Sequence, residues 1–278
     1  IMRPGTVRYR PHNETKFSED CVAQFREWFD FRYAISNLFK NQLSLKYSGS
    51  ILGSFWYVLN PVLNIIPMAI IFPLIARFKT PDYVVYLFSA TICWGFITSS
   101  LSEGANSLIS QSSLIKKVYL PKGIFPLVTV MVHLVNAFFA IVAFLIIGLL
   151  FSLNFKIRIF YLLGAFWVTF IFCLGLAMLL SILTVYFRDV KQIQSVIMRA
   201  FFFLSPILYP ISVIPEPYRV LMQFNPFYHF IMLFRSALYD PAAPGLQIFF
   251  IPLAIALASL VVGLFTHWRR GKILIYRL

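Results

Sequence analysis

The sequence contains few charged residues and very few acidic ones. Aspartate and glutamate account for 10 of its 278 residues, and charged residues of both signs for 12%. Soluble globular domains carry about 25% charged residues, so the composition excludes an ordinary soluble domain. Carboxylates are also missing from the interiors of the long apolar runs. A proton-coupled carrier or an acid–base membrane enzyme usually needs one there, which disfavours both classes without excluding them.

Cysteine is scarce as well, and common nucleotide and zinc motifs are missing. Cys21, Cys93 and Cys173 are too scattered for a disulfide framework or a metal site. Neither a GxxxxGK(S/T) phosphate loop nor an HExxH zinc motif occurs. We therefore expect this chain to bind no metal or cofactor and to hydrolyse no nucleotide. Energy for uphill transport would have to come from a partner.

Long apolar runs dominate what is present. The chain is 60% hydrophobic, and its mean hydropathy is +0.80. These values predict an all-α, polytopic membrane protein. At about 20 apolar residues for each crossing, we predict six transmembrane helices, at 53–77, 83–104, 123–151, 159–187, 192–211 and 245–267. In the fourth of them, Gly164, Gly175 and Ala177 are small enough to allow close helix contact.

The basic residues indicate the orientation of these spans. Lys and Arg number 24 and give a net charge of +14. They concentrate before span one, between spans two and three, after span four and after span six. The positive-inside rule assigns these segments, and with them both termini, to the cytoplasm. Topology and attraction to anionic lipid explain the charge, so we expect membrane lipids as partners and no nucleic acid.

The region before the first span divides in two. Residues 1–23 are polar, and we expect a cytoplasmic tail followed by a retained first span rather than a cleaved signal. Within 24–50, apolar side chains recur three and four residues apart, which predicts an amphipathic interface helix and a basic corner. This helix either anchors at the membrane surface or also contacts a cytoplasmic partner. The predicted six-span domain is 51–278.

Prolines interrupt the apolar sequence between spans five and six. Pro206, Pro210, Pro215, Pro217 and Pro226 each remove a backbone donor, so span five has to end near 205–209. Broken backbone at membrane depth is tolerated only where protein buries it or water reaches it. We interpret 205–244 as a re-entrant region with two short gate helices at the outer mouth of a translocation route. The candidate gate residues are Ser205, Pro206, Tyr209, Pro210, Asn225, Pro226 and Arg235.

Polar and aromatic side chains suggest a substrate path through the spans. Tyr57, Asn60 and Asn64 share one face of the first span, and amides in lipid are costly unless they face protein or water. Helix–helix hydrogen bonding is the alternative explanation for this stripe. The candidate path residues are Trp56, Tyr57, Asn60, Asn64, Trp94, Arg199 and Phe202, although many aromatics in such a chain simply face lipid.

A polar cytoplasmic segment, 102–122, contains a short basic helix suited to a groove on another protein. Its candidate coupling residues are Glu103, Ser110, Lys116 and Lys117, and Arg188 with Asp189 ends span four nearby. An ordinary solvated loop, and an Arg188–Asp189 ion pair, are the alternatives. His133 in span three is more typical of a hydrogen-bonded core than of a proton relay.

Four motifs in order resemble one family, the membrane subunits of type-two ABC exporters for cell-surface polysaccharides such as O-antigen, capsule and teichoic acid. The motifs are LKYSGSILGSFW at 45–56 with Asn60–Pro61, LIKK at 114–117 with Pro121–Lys122, FRDV at 187–190, and SPILYP at 205–210 with Asn225–Pro226 and Arg235. The resemblance covers residues 24–270.

The resemblance implies a transport subunit of the bacterial inner membrane that is not an enzyme. It implies a homodimer with two copies of a separate ATP-binding subunit, which holds ATP and magnesium. The substrate would be a lipid-linked polysaccharide, most specifically O-antigen. The interface helix and the coupling residues would meet the partner, and Lys46 and Arg199 would serve an anionic headgroup.

Several alternatives remain open from the sequence. One is a drug or small-lipid exporter of the same fold. Others are a stand-alone membrane transferase, a secondary transporter, or a purely structural assembly factor.

Overall fold

All regular secondary structure in the described residues is helical. The computed structural model describes residues 24, 26–46, 49–76, 82–150, 153, 157–240 and 244–271, and every regular element in these ranges is a helix. The α-helices are α1 (Arg32–Lys46), α2 (Trp56–Ala76), α3 (Tyr83–Ser110), α4 (Ser112–Lys117), α5 (Ile124–Leu150), α6 (Ile159–Tyr186), α7 (Val190–Leu204), α8 (Glu216–Gln223), α9 (Pro226–Leu238) and α10 (Phe250–Arg270). Residues 26–30 are helical too. The all-α prediction is confirmed, whereas the predicted tail 1–23 lies outside the described residues.

Four of the described helical segments are long and apolar enough to cross a membrane. They are Tyr83–Lys117, Ile124–Leu150, Ile159–Tyr186 and Leu246–Arg270. Of the two other predicted spans, α2 has 21 residues, while α7 stops after 15. A 15-residue helix is about 22 Å long, short of the roughly 30 Å hydrocarbon core. The six-span count therefore remains a prediction.

The centre of the bundle is built from α3 and α6. Both helices pack against α5 and α9, and α10 runs along α6. The rings of Phe172 on α6 and Phe230 on α9 stack with their centroids 4.4 Å apart, and Phe234 on α9 is completely buried. The short helix α9 is therefore held inside the bundle by aromatic packing.

Small residues let the backbones approach, as predicted for span four. A Cβ atom built on Gly175 would lie 2.3 Å from the carbonyl carbon of Ser259, and one on Gly263 would lie 2.3 Å from the Gly175 oxygen. A Cβ atom on Gly104 would lie 2.6 Å from that of Ala177. In addition, Ser259 Oγ donates to the Phe172 oxygen at 3.2 Å. The pair α6 and α10 therefore touches backbone to backbone and should move as one unit.

Alanine at Gly175 is expected to destabilise the protein, because the added methyl group would overlap the α10 backbone. Overpacking of about 1–3 kcal/mol should lower the unfolding midpoint in detergent by about 2–12 °C. Gly95→Ala is the matched control, since a Cβ atom there meets nothing within 4 Å, and it should leave the midpoint unchanged or raise it. An unchanged midpoint for Gly175→Ala would contradict the close crossing.

Candidate functional site

A cavity of about 470 Å³ lies between α2, α3 and α5. Its wall contains most of the predicted path residues of the first two spans. It also contains Lys46, one of the two residues predicted to bind a headgroup. The lining includes Lys46, Tyr57, Asn60, Asn64, Thr91, Trp94, Ser99, His133 and Asn136. A concave site with many polar side chains among apolar ones is suited to binding an amphiphilic ligand.

A chain of polar side chains from three helices runs along this cavity. His133 Nε2 lies 2.9 Å from Glu103 Oε2, and Lys46 Nζ lies 4.0 Å from Glu103 Oε1. Asn136 Nδ2 lies 3.3 Å from His133 Nδ1. His133 is only 2% exposed, whereas Glu103 is 57% exposed. Glu103, predicted at the partner contact, thus lies beside the cavity, and His133 lies in a hydrogen-bonded polar cluster.

The predicted stripe on α2 divides between structural and cavity positions. Tyr57 donates its hydroxyl to the Leu43 oxygen at 3.0 Å and stacks on Phe139 with centroids 5.0 Å apart. Asn64 Nδ2 donates to the Asn60 oxygen at 2.8 Å. A hydrogen bond within α2 therefore explains part of the stripe. Trp56 donates its indole N–H to Ser50 Oγ at 2.9 Å at the corner before α2, and the structure does not bring it to the cavity.

A second cavity, of about 440 Å³, lies between α3 and α7. It contains the predicted path residues Arg199 and Phe202, together with Thr98, Ser102 and Gln194. Trp94 lines both cavities, is 8% exposed, and has its ring centroid 5.9 Å from that of Phe202. Trp94 therefore lies in a wall shared by two cavities, whose linings mix polar and apolar side chains. Flat apolar faces beside hydrogen-bonding groups suit sugar rings.

The proline-rich segment begins where α7 ends at Leu204, as the prolines predict. Asn225 Nδ2 donates to the buried Ser205 Oγ at 2.8 Å, and Asn225 Oδ1 accepts from the Phe227 amide at 3.0 Å. Asn225 is therefore the N-cap of α9, and Pro226 occupies the first helical position, where its missing amide donor costs nothing. Pro210 accepts from the Val213 amide at 3.1 Å and so begins a short 3-10 turn.

Buried side chains bind carbonyl groups of the non-helical segment that follows α7. Tyr83 donates its hydroxyl to the Leu208 oxygen at 2.8 Å, and the Tyr86 hydroxyl lies 2.6 Å from the Tyr209 oxygen. The Arg235 guanidinium donates to the Pro206 oxygen. It also lies 3.8 Å from the centroid of the Tyr86 ring and is 3% exposed. Satisfied carbonyls make a broken backbone tolerable in a buried setting.

This network at the predicted gate contains residues that sequence reasoning missed. Tyr83 and Tyr86 lie three residues apart at the start of α3, and that spacing in an apolar span was their sole signal. Arg158 was also missed, and its backbone amide donates to the Ala237 oxygen at 3.0 Å near the end of α9. Burial raises the pKa of Asp240, and the guanidinium groups of Arg235 and Arg158 oppose that effect.

The predicted coupling residues lie at the opposite ends of α3 and α6 from the gate. Lys116 and Lys117 are exposed on α4, and Ser110 Oγ donates to the Ser107 oxygen at 3.2 Å. Arg188 and Asp189 form an exposed turn between α6 and α7. Within the part of the chain that the structure describes, no ion pair joins these two residues. They are therefore accessible to another protein.

Comparison with known proteins indicates a family of membrane transporters. Residues 33–239 match the family described as ABC-2 type transporter. The O-antigen export system permease protein RfbA of Myxococcus xanthus is 28% identical over 242 residues, which cover 85% of this chain and 91% of that protein. A Klebsiella pneumoniae protein of the same name is 32% identical over 213 residues, covering 75% and 80%. The polysialic acid transport protein KpsM of Escherichia coli is 21% identical over 263 residues, covering 87% and 95%.

Replacing Arg235 by Met should loosen the broken segment, because the Pro206 carbonyl would lose a buried donor. A hydrogen bond to a charged group contributes about 1.5–3 kcal/mol, so hydrogen exchange in peptides spanning 203–210 should accelerate about tenfold or more. The Tyr86 hydroxyl, 3.1 Å from the Pro206 oxygen, would remain as its other donor. Arg219→Met is the control, because Arg219 on α8 donates to the Ile214 oxygen at 2.8 Å, outside the 203–210 segment. Equal exchange in Arg235→Met and the parent would show that Arg235 does not hold this segment.

Proposed function

Because the chain belongs to the ABC-2 type transporter family and is therefore the membrane subunit of an ABC exporter, we propose that it exports a lipid-linked polysaccharide, most specifically O-antigen. It would move this substrate from the cytoplasm across the bacterial inner membrane. The chain is a transport subunit and not an enzyme, and the family implies an ABC ATP-binding partner. Family membership replaces the stand-alone transferase and secondary-transporter alternatives.

The arrangement around Trp94 is the observation that supports this substrate class. Polar side chains line both cavities beside this ring, and the centroids of Trp94 and Phe227 are 5.4 Å apart. A glycan presents hydroxyl groups at its edges and apolar faces on its rings, so it can use both kinds of surface. The names of the similar O-antigen permeases favour the same class of cargo.

The proposed path begins at the cavity beside Lys46. An anionic headgroup, such as a lipid diphosphate, would bind the Lys46 ammonium, with Arg199 as a second cation in the neighbouring cavity. The glycan would then pass Trp94 and Phe202 and leave through the 205–244 gate, with α8 and α9 as its re-entrant helices. Two copies of this chain, paired with two ATP-binding subunits that carry ATP and magnesium, would form the path between them.

The proposed topology has six spans and cytoplasmic termini. The four long apolar segments would be joined by α2 and by α7, whose crossing the turn at 205–209 would complete. This assignment keeps α4 and the Arg188–Asp189 turn on the cytoplasmic side, where the basic residues concentrate. Both would then face the ATP-binding subunit.

Charge reversal at Lys116 and Lys117 should weaken partner binding, because both side chains are exposed on the coupling helix. The test is ATPase activity of the purified chain alone and coexpressed with its ATP-binding partner. We expect no activity alone, activity in the complex, and copurified partner reduced about tenfold or more in the double Lys→Glu variant, which is the effect of losing about 1.4 kcal/mol. Arg269→Glu with Arg270→Glu is the matched control. A chain that catalyses transfer or ion-coupled transport alone would contradict the proposal.

Trp94→Ala should slow glycan export, because it removes the ring that lines both cavities. Loss of aromatic stacking of about 1 kcal/mol or more predicts roughly a tenfold lower rate in proteoliposomes loaded with a lipid-linked oligosaccharide, and Trp94→Phe should restore most of it. Trp167→Ala is the control, since Trp167 is exposed on α6. Stimulation of the ATPase by drugs or small lipids, with none by the glycan lipid, would instead favour the drug or small-lipid exporter.

A further inference from the structure

The segment 118–123, between α4 and α5, is bonded to the end of α10, 149 residues further along the chain. The Lys122 ammonium donates to the Gly271 oxygen, immediately after the last turn of α10. A lysine is well placed there, because the final carbonyls of a helix lack partners and carry partial negative charge. Burial lowers the pKa of Lys122, as expected for a cation partly removed from water.

The same segment is held on its other side by the N-terminal helical stretch. A Cβ atom on Gly123 would lie 3.0 Å from Gln24 Nε2 and 3.2 Å from Trp28 Cζ2, so the Gly123 backbone lies against these two side chains. The buried Trp28 belongs to a hydrophobic cluster with Ile124 of α5 and Leu264 of α10. The segment therefore lies between the interface helix and α10.

The coupling helix α4 is also packed into the bundle. Ile115 is 7% exposed and clusters with Leu108 of α3, Phe125 of α5 and Ile182 of α6. Leu38 of α1 packs against the same cluster. A displacement of α4 would consequently also displace the helices that pack against it.

The contacts continue from α10 to the gate. The chain of contacts runs from Lys122 to Gly271, along α10 to the Gly175–Gly263 crossing with α6, and from Phe172 to Phe230 on α9. Helix α9 carries Arg235, which binds the broken segment. Each step is a hydrogen bond or a packed contact, which is the physical basis for coupling between distant sites.

We propose that Lys122 is a positioning residue that transmits movement of α4 through α10 and α6 to the gate. The proposal rests on the proposed function, since the ATP-binding partner is what moves α4. It assigns the substrate-side cavities no part in this transmission, because none of the contacts above passes through them. Removal of the Lys122 ammonium should therefore uncouple ATP hydrolysis from export without releasing the partner.

The test compares Lys122→Met, Lys122→Arg and Arg269→Met in the reconstituted complex with its ATP-binding partner. Arg269→Met is the matched control, because it removes an exposed cation from the same helix end. In Lys122→Met we expect copurified partner and ATPase rate within about twofold of the parent, and lipid-linked oligosaccharide exported per ATP about tenfold lower, a typical coupling effect. Lys122→Arg should recover most of the ratio, and Arg269→Met should leave it unchanged.

Two results would overturn the proposal. In the first, Lys122→Met keeps both the ATPase rate and the export rate of the parent. In the second, its ATPase and export fall in equal proportion, which would indicate a role in folding or assembly alone. Failure of the proposed function would appear differently, as a parent complex that hydrolyses ATP without exporting the glycan.

A second measurement is independent of cargo. Hydrogen exchange in 118–123 and at the end of α10 should change together when vanadate traps the nucleotide-bound parent. In Lys122→Met the change at α10 should be lost while that in 118–123 remains. Retention of both changes would also overturn the proposal.

Discussion

The carbonyl groups of the non-helical segment after Leu204 impose the strictest demand on this structure. Backbone polar groups without partners are not tolerated in an apolar setting, so donors have to come from elsewhere in the bundle. Tyr83 and Tyr86 supply hydroxyls from α3, and Arg235 supplies a guanidinium from α9. This demand explains why α9 is drawn into the core and why a buried arginine, stacked on Tyr86, is retained there.

Helix α3 connects the three functional parts of the molecule. It binds the proposed gate through Tyr83 and Tyr86, lines both cavities with Trp94, and positions Glu103 beside Lys46. Trp94 lies 8 residues after Tyr86 and 9 before Glu103, or about 12 Å and 13 Å of helix at 1.5 Å per residue. A shift of this one helix would therefore change the gate and the cavities together.

Local chemistry could be predicted from the sequence, and tertiary pairing could not. Apolar runs and prolines act on their own neighbourhood, so the all-helical fold and the break after Leu204 were predictable. The donors Tyr83 and Tyr86 were not, because more than a hundred residues separate them from the break. Trp56 and Tyr57, both predicted in the path, point about 100° apart as adjacent helical residues, and Tyr57 lines the first cavity whereas Trp56 binds Ser50. Helix α3 continues without a break after Ser102, so Glu103 lies on this helix along the wall of the bundle.

The electrostatics of the first cavity bear on how an anionic headgroup would be received. Glu103 is held tightly by His133 at 2.9 Å and only loosely by Lys46 at 4.0 Å. Exposed ion pairs at such distances contribute about 0–1 kcal/mol. An anion can therefore replace Glu103 as the partner of Lys46 with little loss of free energy, while Glu103 keeps its bond to His133. Because the carboxylate stays in place, its repulsion lowers the affinity of the cavity for an anionic headgroup. In the proposed mechanism this balance lets the cavity bind an anion and still release it toward the gate.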